Sequence, residues 1–298
     1  MMVMQEFLQQ WQALPQVPDL HLYAIVDSAQ DARLLAKLHK TTPWMHSQCL
    51  LADVQGPELS KAAPHLATLP SVAEESEAWL TLFRSAASNP ASLSIIASRQ
   101  EFAPLHAHLE QFTEIVLPDG DEMHFAFWDP AILGTLVGQK DDNTLHVSGP
   151  VLSARQRSRL LTGISAWWYL DRNRQLRQIR DETPQSDAGQ VALPLKLTQV
   201  QTDMLVEASV PDHLLGHIKE NQPQLLFDIP EGERYARVER HLLEARKLNL
   251  RSMQDIINYI CAGLIYGSQM QQNSVIGELL DKVKTGQISL PEALEQFP

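Results

Sequence analysis

Three aspartates stand where the pattern of the chain reads as the ends of strands. Asp27 follows the apolar run Leu20–Val26, Asp53 follows Ser47–Ala52, and Asp129 follows the aromatic stretch Phe125–Trp128. Carboxylates gathered at one sheet edge could hold a divalent cation or carry acid–base chemistry. His124, close to Asp121 and Glu122, extends the same idea to a metal-dependent α/β enzyme built on Asp27, Asp129 and His124. The competing reading is mechanical, because short acidic side chains cap helices and turns. Asp119-Gly120-Asp121 itself reads as a turn. His106 and His108 lie two apart, so on a helix they diverge by about 200° and cannot share a ligand face. No H-E-x-x-H, C-x-x-C, G-x-S-x-G, G-x-G-x-x-G or phosphate-loop pattern occurs. No catalytic, metal or cofactor-binding residue is therefore expected.

The elements that would position these groups alternate in the first half of the chain. Helical patterns fall at Glu6–Leu14, Ala32–His39, Glu75–Ala87 and Phe102–Phe112. Strand patterns fall at Leu20–Val26, Ser47–Ala52 and Ser92–Ala97, while Ala63–Leu66 and Leu69-Pro70 read as an irregular loop. Phe125 and Phe127 alternate like a pleated strand that ends at Asp129, which caps a following helix with Pro130 at its first position. Arg155–Leu161 and the aromatic strand Ile164–Leu170 come next, and 181–190 has the composition of a linker. Beyond it the pattern is helix after helix. Thr198-x-x-Gln201, Ser252-x-x-Asp255 and Ser289-x-x-Glu292 resemble capping boxes, and Met253, Ile256, Ile257, Ile260, Cys261, Leu264 and Ile265 share one stripe ended by Gly267. Val275, Leu279, Leu280 and Val283 mark a shorter helix ended by Gly286. The expected architecture is an α/β N-terminal lobe over 1–185, a mixed sheet flanked by helices, followed by an all-α lobe over 186–298.

At 298 residues the chain can bury one large core or two ordinary ones. A net charge of −12 weighs against a nucleic-acid binder or an anionic-membrane binder. Cys49 and Cys261 read as isolated, buried thiols, which fits a reducing compartment. No stretch reaches the ~18 apolar residues of a membrane span, and Met1–Gln10 lacks the basic start and apolar run of a signal peptide. A cytoplasmic protein is expected.

Seven arginines against the single acid Asp171 fall between Arg155 and Arg180, a local reversal of the overall charge. Within it, Trp167 and Tyr169 share one strand face and Trp168 takes the other. One face belongs to the core; the other is covered by a helix or left for a partner, as aromatic and arginine side chains favour interface hot spots.

The order of these motifs resembles the effector-loading adaptors of the bacterial type VI secretion system, the Tap/Tec type first catalogued as a domain of unknown function. The resemblance rests on Leu22–Asp27, Phe125–Leu133 with its aromatic-Asp-Pro step, Gly149-Pro150 and Trp167–Tyr169, and covers about residues 20–180. Ala63–Leu66 and His108-Leu109-Glu110 resemble shorter elements of the family. Ala126, Glu110 and Ala131 stand where the family carries arginine.

The resemblance implies a cytoplasmic, non-catalytic chaperone that binds a cognate toxic effector and helps load it onto the VgrG trimer or PAAR cap of the spike. Asp27, Trp128, Asp129, Pro130, Gly149 and Pro150 are then structural. Cargo contacts are expected from a cleft between the lobes, at Trp167, Trp168, Tyr169, Arg172 and Arg174 and at Tyr235, Leu242 and Leu243. A toxin-binding immunity protein is the alternative binding role.

Overall fold

The computed structural model describes residues 2–15, 17–51, 56, 61–72, 77–180 and 191–298, without the side chain of Gln271. Asp53 and the stretch 181–190 lie outside the described residues. The chain divides into two compact units, 1–208 and 209–298.

The N-terminal unit is α/β. Its main sheet has six strands in the order β2-β3-β1-β4-β7-β8, formed by β1 (His21–Asp27), β2 (Ser47–Cys49), β3 (Pro64–Thr68), β4 (Leu93–Ser98), β7 (Ile164–Leu170) and β8 (Leu176–Ile179). Every neighbouring pair in it is antiparallel. A second sheet joins β5 (Glu114–Val116), β6 (Glu122–His124) and β9 (Leu195–Lys196), and its β5–β9 pair is parallel, so strand directions in the unit are mixed.

Both faces of the main sheet are buried, which explains why its strands read as unbroken apolar runs. Leu22, Ala24 and Val26 of β1, with Ile95 and Trp168, pack against Phe7 of α1 (Met2–Gln12), Leu34 and Leu38 of α2 (Leu34–Thr41), and Trp79 and Leu82 of α3 (Glu77–Ser88). Tyr23, Ile25, Ile96 and Trp167 face the opposite layer. That layer is built from α4 (Phe102–Glu110), α5 (Pro130–Val137), α6 (Ala154–Leu160) and the small sheet.

Two local expectations are corrected. Of Ala63–Leu66, Pro64–Leu66 open β3, an interior strand, with Leu66 opposite Ile25. Pro64 is tolerated because it is the first strand residue. Phe125–Trp128 is not a strand, since β6 ends at His124. The chain turns there, with Phe127 N–H donating to the Phe125 carbonyl at 2.9 Å and Asp129 N–H to the Ala126 carbonyl at 3.0 Å. Phe125, Phe127 and Trp128 are all buried, so it is a compact turn inside the core and not a surface alternating between two faces.

The expected lobe boundary at 185 contrasts with the division after Ala208, because β9 pairs with β5 and thereby joins the first unit. α7 (Gln199–Asn221) runs from one unit into the other, opened by Thr198 Oγ1 accepting from Gln201 N–H at 3.3 Å and by Gln201 Oε1 accepting from Thr198 N–H at 3.0 Å.

The second unit is helical throughout, with α8 (Glu231–Lys247), α9 (Met253–Tyr266), α10 (Gln269–Gln272), α11 (Ser274–Lys284) and α12 (Leu290–Leu294). Ile256, Ile257, Ile260 and Cys261 of the predicted stripe are buried, but Met253 and Ile265 at its ends are exposed. In α11 it is Ile276, not the exposed Val275, that joins Leu279, Leu280 and Val283 in the core. Ser289 and Glu292 form the full capping box expected of them.

Candidate functional site

Asp27 does not present a free carboxylate. Its Oδ1 accepts from Ala29 N–H at 2.9 Å and its Oδ2 accepts from the Trp128 indole at 3.1 Å. One side chain thus fixes the turn after β1 and ties it to a residue 101 positions later. Asp129 caps α5, accepting from Ala131 N–H at 2.9 Å with Pro130 at the first turn. The helix closes on Gly138 in the left-handed conformation, φ 71°. Gly149, at φ 69°, then brings the chain back against the Thr135 carbonyl, where any Cβ would collide. Val151 and Leu152 N–H donate to the Thr135 and Leu136 carbonyls, both at 3.1 Å, satisfying groups at the end of α5. Asp27, Trp128, Asp129, Pro130 and Gly149 thus have internal roles around the two ends of α5.

His124 lies exposed on β6. His106 and His108 diverge as their spacing requires, Nε2 of one donating to the Cys49 carbonyl at 2.7 Å and of the other to the Leu160 carbonyl at 2.9 Å. Burial holds His108 below the ordinary imidazole range, and the same cause lowers His65 and His241. Among the described residues no group of three or more His, Cys, Asp and Glu is placed to hold a metal ion. Both cysteines are free; Cys261 is buried as expected, Cys49 only partly, and burial raises both thiols.

The expected docking residues divide sharply. Trp167, Trp168 and Tyr169 are core on both faces of β7, which corrects their assignment to a partner surface. Their polar atoms are used internally. Trp167 Nε1 donates to Ser94 Oγ at 2.8 Å, Trp168 Nε1 to Gln10 Oε1 at 2.9 Å, and the Tyr169 hydroxyl to Asp142 Oδ2 at 2.8 Å. Burial, followed by the charge of Asp142, pushes the Tyr169 phenol far up. Leu242 is core of the helical unit, another correction. Arg172 and Tyr235 are half-buried; Arg174 and Leu243 are exposed. The first pair of arginines belongs to the N-terminal unit, and Tyr235 and Leu243 to the helical one.

Much of the arginine run is absorbed by the fold. Arg177 grips the buried Asp171 through Nε at 2.9 Å and Nη2 at 2.6 Å, and Asp171 Oδ1 accepts from Asn173 and Gln175 N–H at 2.8 and 2.9 Å. The lone acid of the run is thus the knot of the β7–β8 hairpin. Arg174 sits at φ 60° and donates to the Ala87 carbonyl at 2.5 Å, while Arg157 donates to the Val137 carbonyl at 3.2 Å.

Sequence reasoning overlooked an aromatic groove in the N-terminal unit, of about 680 Å³, whose walls include Trp11, Tyr23, Trp44, His46 and Phe102. Its residues are scattered through α1, β1, the approach to β2 and the start of α4, so no local pattern announces them. The visible signal was Trp44, a large aromatic in a short Pro-containing connection.

Among the described residues no helix is long and apolar enough to cross a membrane. No curated protein and no solved structure matches the chain. Residues 22–147, which carry Asp27, Trp128, Asp129 and most of the aromatic groove, match the family described as a domain of unknown function, DUF4123.

Proposed function

We propose that this protein is a cytoplasmic, non-catalytic adaptor that binds a cognate toxic effector and helps load it onto the VgrG or PAAR component of a type VI secretion spike. The observation that carries the reading is that Asp27, Trp128 and Asp129, which carry the resemblance and lie within the matched stretch 22–147, are occupied in holding the α/β unit together. A protein whose most distinctive residues are scaffold presents its function on a surface. The acidic chain, at −12, suits a protein partner better than nucleic acid. Effector contacts are assigned to what stays accessible of the original set, Arg172 and Arg174 in one unit and Tyr235 and Leu243 in the other.

Co-expression with a candidate toxin, chosen by whether a toxin gene adjoins the gene for this chain, tests this. The two chains should co-elute in size-exclusion chromatography, and Arg174→Ala together with Leu243→Ser should weaken the complex about tenfold or more, a larger effect than the modest fall in melting temperature expected from losing the Arg174–Ala87 hydrogen bond. Separate elution of the wild-type chains would overturn the proposal. An enzyme would instead reveal itself by a metal that co-purifies and an activity lost in Asp27→Asn.

A further inference from the structure

The aromatic groove has a chemistry of its own. It opens where β1 begins, where β3 ends and where the chain enters α4. Its rings follow one another in series: His21 and Tyr23 centroids are 6.2 Å apart, Tyr23 and Phe102 6.2 Å, and Phe102 and His46 4.2 Å with planes inclined at 68°. The Tyr23 hydroxyl donates to the Gln100 carbonyl at 2.8 Å, which pins that ring against the strand end. Trp44 stands at the rim 64% exposed, whereas Trp79, Trp128, Trp167 and Trp168 are buried. Glu101, also exposed, is the one formally charged group among the described residues that line it.

Ring faces are electron-rich, and a cation placed over them gains most when a carboxylate stands beside it. An acidic or purely apolar occupant would leave Glu101 opposed or unpaired. A guanidinium or ammonium on an apolar segment satisfies both features, because its stem packs on the rings while its head reaches the carboxylate. We infer that this groove docks a segment of a partner protein in which an arginine or lysine lies between apolar residues, the cation over Trp44 and beside Glu101. This inference rests on the adaptor reading and names the chemistry of the cargo contact.

Selection of a phage-displayed random peptide library on the intact chain tests it directly. Enriched peptides should carry Arg or Lys flanked by apolar residues. Titrated calorimetrically, the strongest of them should bind about tenfold more weakly to Trp44→Ala and to Glu101→Lys. Both positions are exposed and Glu101 makes no side-chain cap to α4, so circular dichroism stays unchanged and Glu101→Lys lowers the melting temperature by no more than the small cost of a cation at a helix N-terminus. Enrichment of acidic peptides, absence of any enrichment, or full binding by Trp44→Ala overturns the inference. So does a homodimer that Trp44→Ala dissociates, since a second copy would then fill the groove. Failure here with the effector complex intact condemns the groove alone; correct peptides without an effector complex condemn the adaptor reading alone.

Discussion

Asp27 shows how far a residue's chemistry depends on a partner that its own neighbourhood does not reveal. Its position at a strand end is equally suited to catalysis and to capping, and the deciding group, the Trp128 indole, lies 101 residues away. Replacing Trp128 with Phe keeps most of the packing but leaves Oδ2 of a buried carboxylate without its donor. A loss of about 1–3 kcal/mol in urea-induced unfolding is expected. His108 allows a prediction of pH dependence. Burial disfavours its charged form, so the folded chain holds it below the ordinary value of 6.5 and the unfolded chain takes up the proton first. Its contribution to stability is complete above pH 6.5 and is lost progressively as pH falls below that value. Urea midpoints measured at pH 7.5 and 5.0 should differ, and His108→Gln should narrow the gap without closing it, because His65 and His241 are lowered by the same cause.

At the scale of elements, β1, β4 and β7 were legible because strands buried on both faces are continuous apolar runs, and the faces of Trp167, Trp168 and Tyr169 followed from simple alternation. What covers those faces was not legible. Phe7 stands over Trp168 in an edge-on contact at 5.1 Å, and it comes from the helix at the N-terminal end of the sequence, far from β7 along the chain. Trp168→Ala is therefore expected to cost about 3–5 kcal/mol. Effector binding lost in that variant would report unfolding, which a parallel melting curve would register. β3 was missed since Pro64 and His65 resemble loop residues, and only the sheet on either side makes them a strand. Gly149 was noticed as part of a motif, but its reason is steric: φ 69° against the Thr135 carbonyl. Gly149→Ala should lower stability by more than about 1 kcal/mol, read as a fall in soluble yield and in urea midpoint. In the helical unit, close approach has the same effect at Gly263, where a Cβ would lie 2.6 Å from His241 Nδ1.

For the whole molecule, composition and periodicity were enough to anticipate an α/β unit followed by a helical one. The division fell later than composition suggested, since β9 is recruited to β5 by backbone pairing that side-chain pattern does not encode. The arginine run likewise gave charge without geometry; its one acid, Asp171, turned out to organise a hairpin. Among the described residues, Arg174 and Leu243 and the aromatic groove remain accessible, and the proposed adaptor role rests on them. The most direct measurement of that claim is effector export from a strain lacking this chain, with the spike and the effector still expressed. The account predicts that the effector is retained in the cell while spike components continue to be secreted, and that the wild-type chain restores export whereas the Arg174→Ala, Leu243→Ser double variant does not. Undiminished effector export from the deletion strain would contradict it.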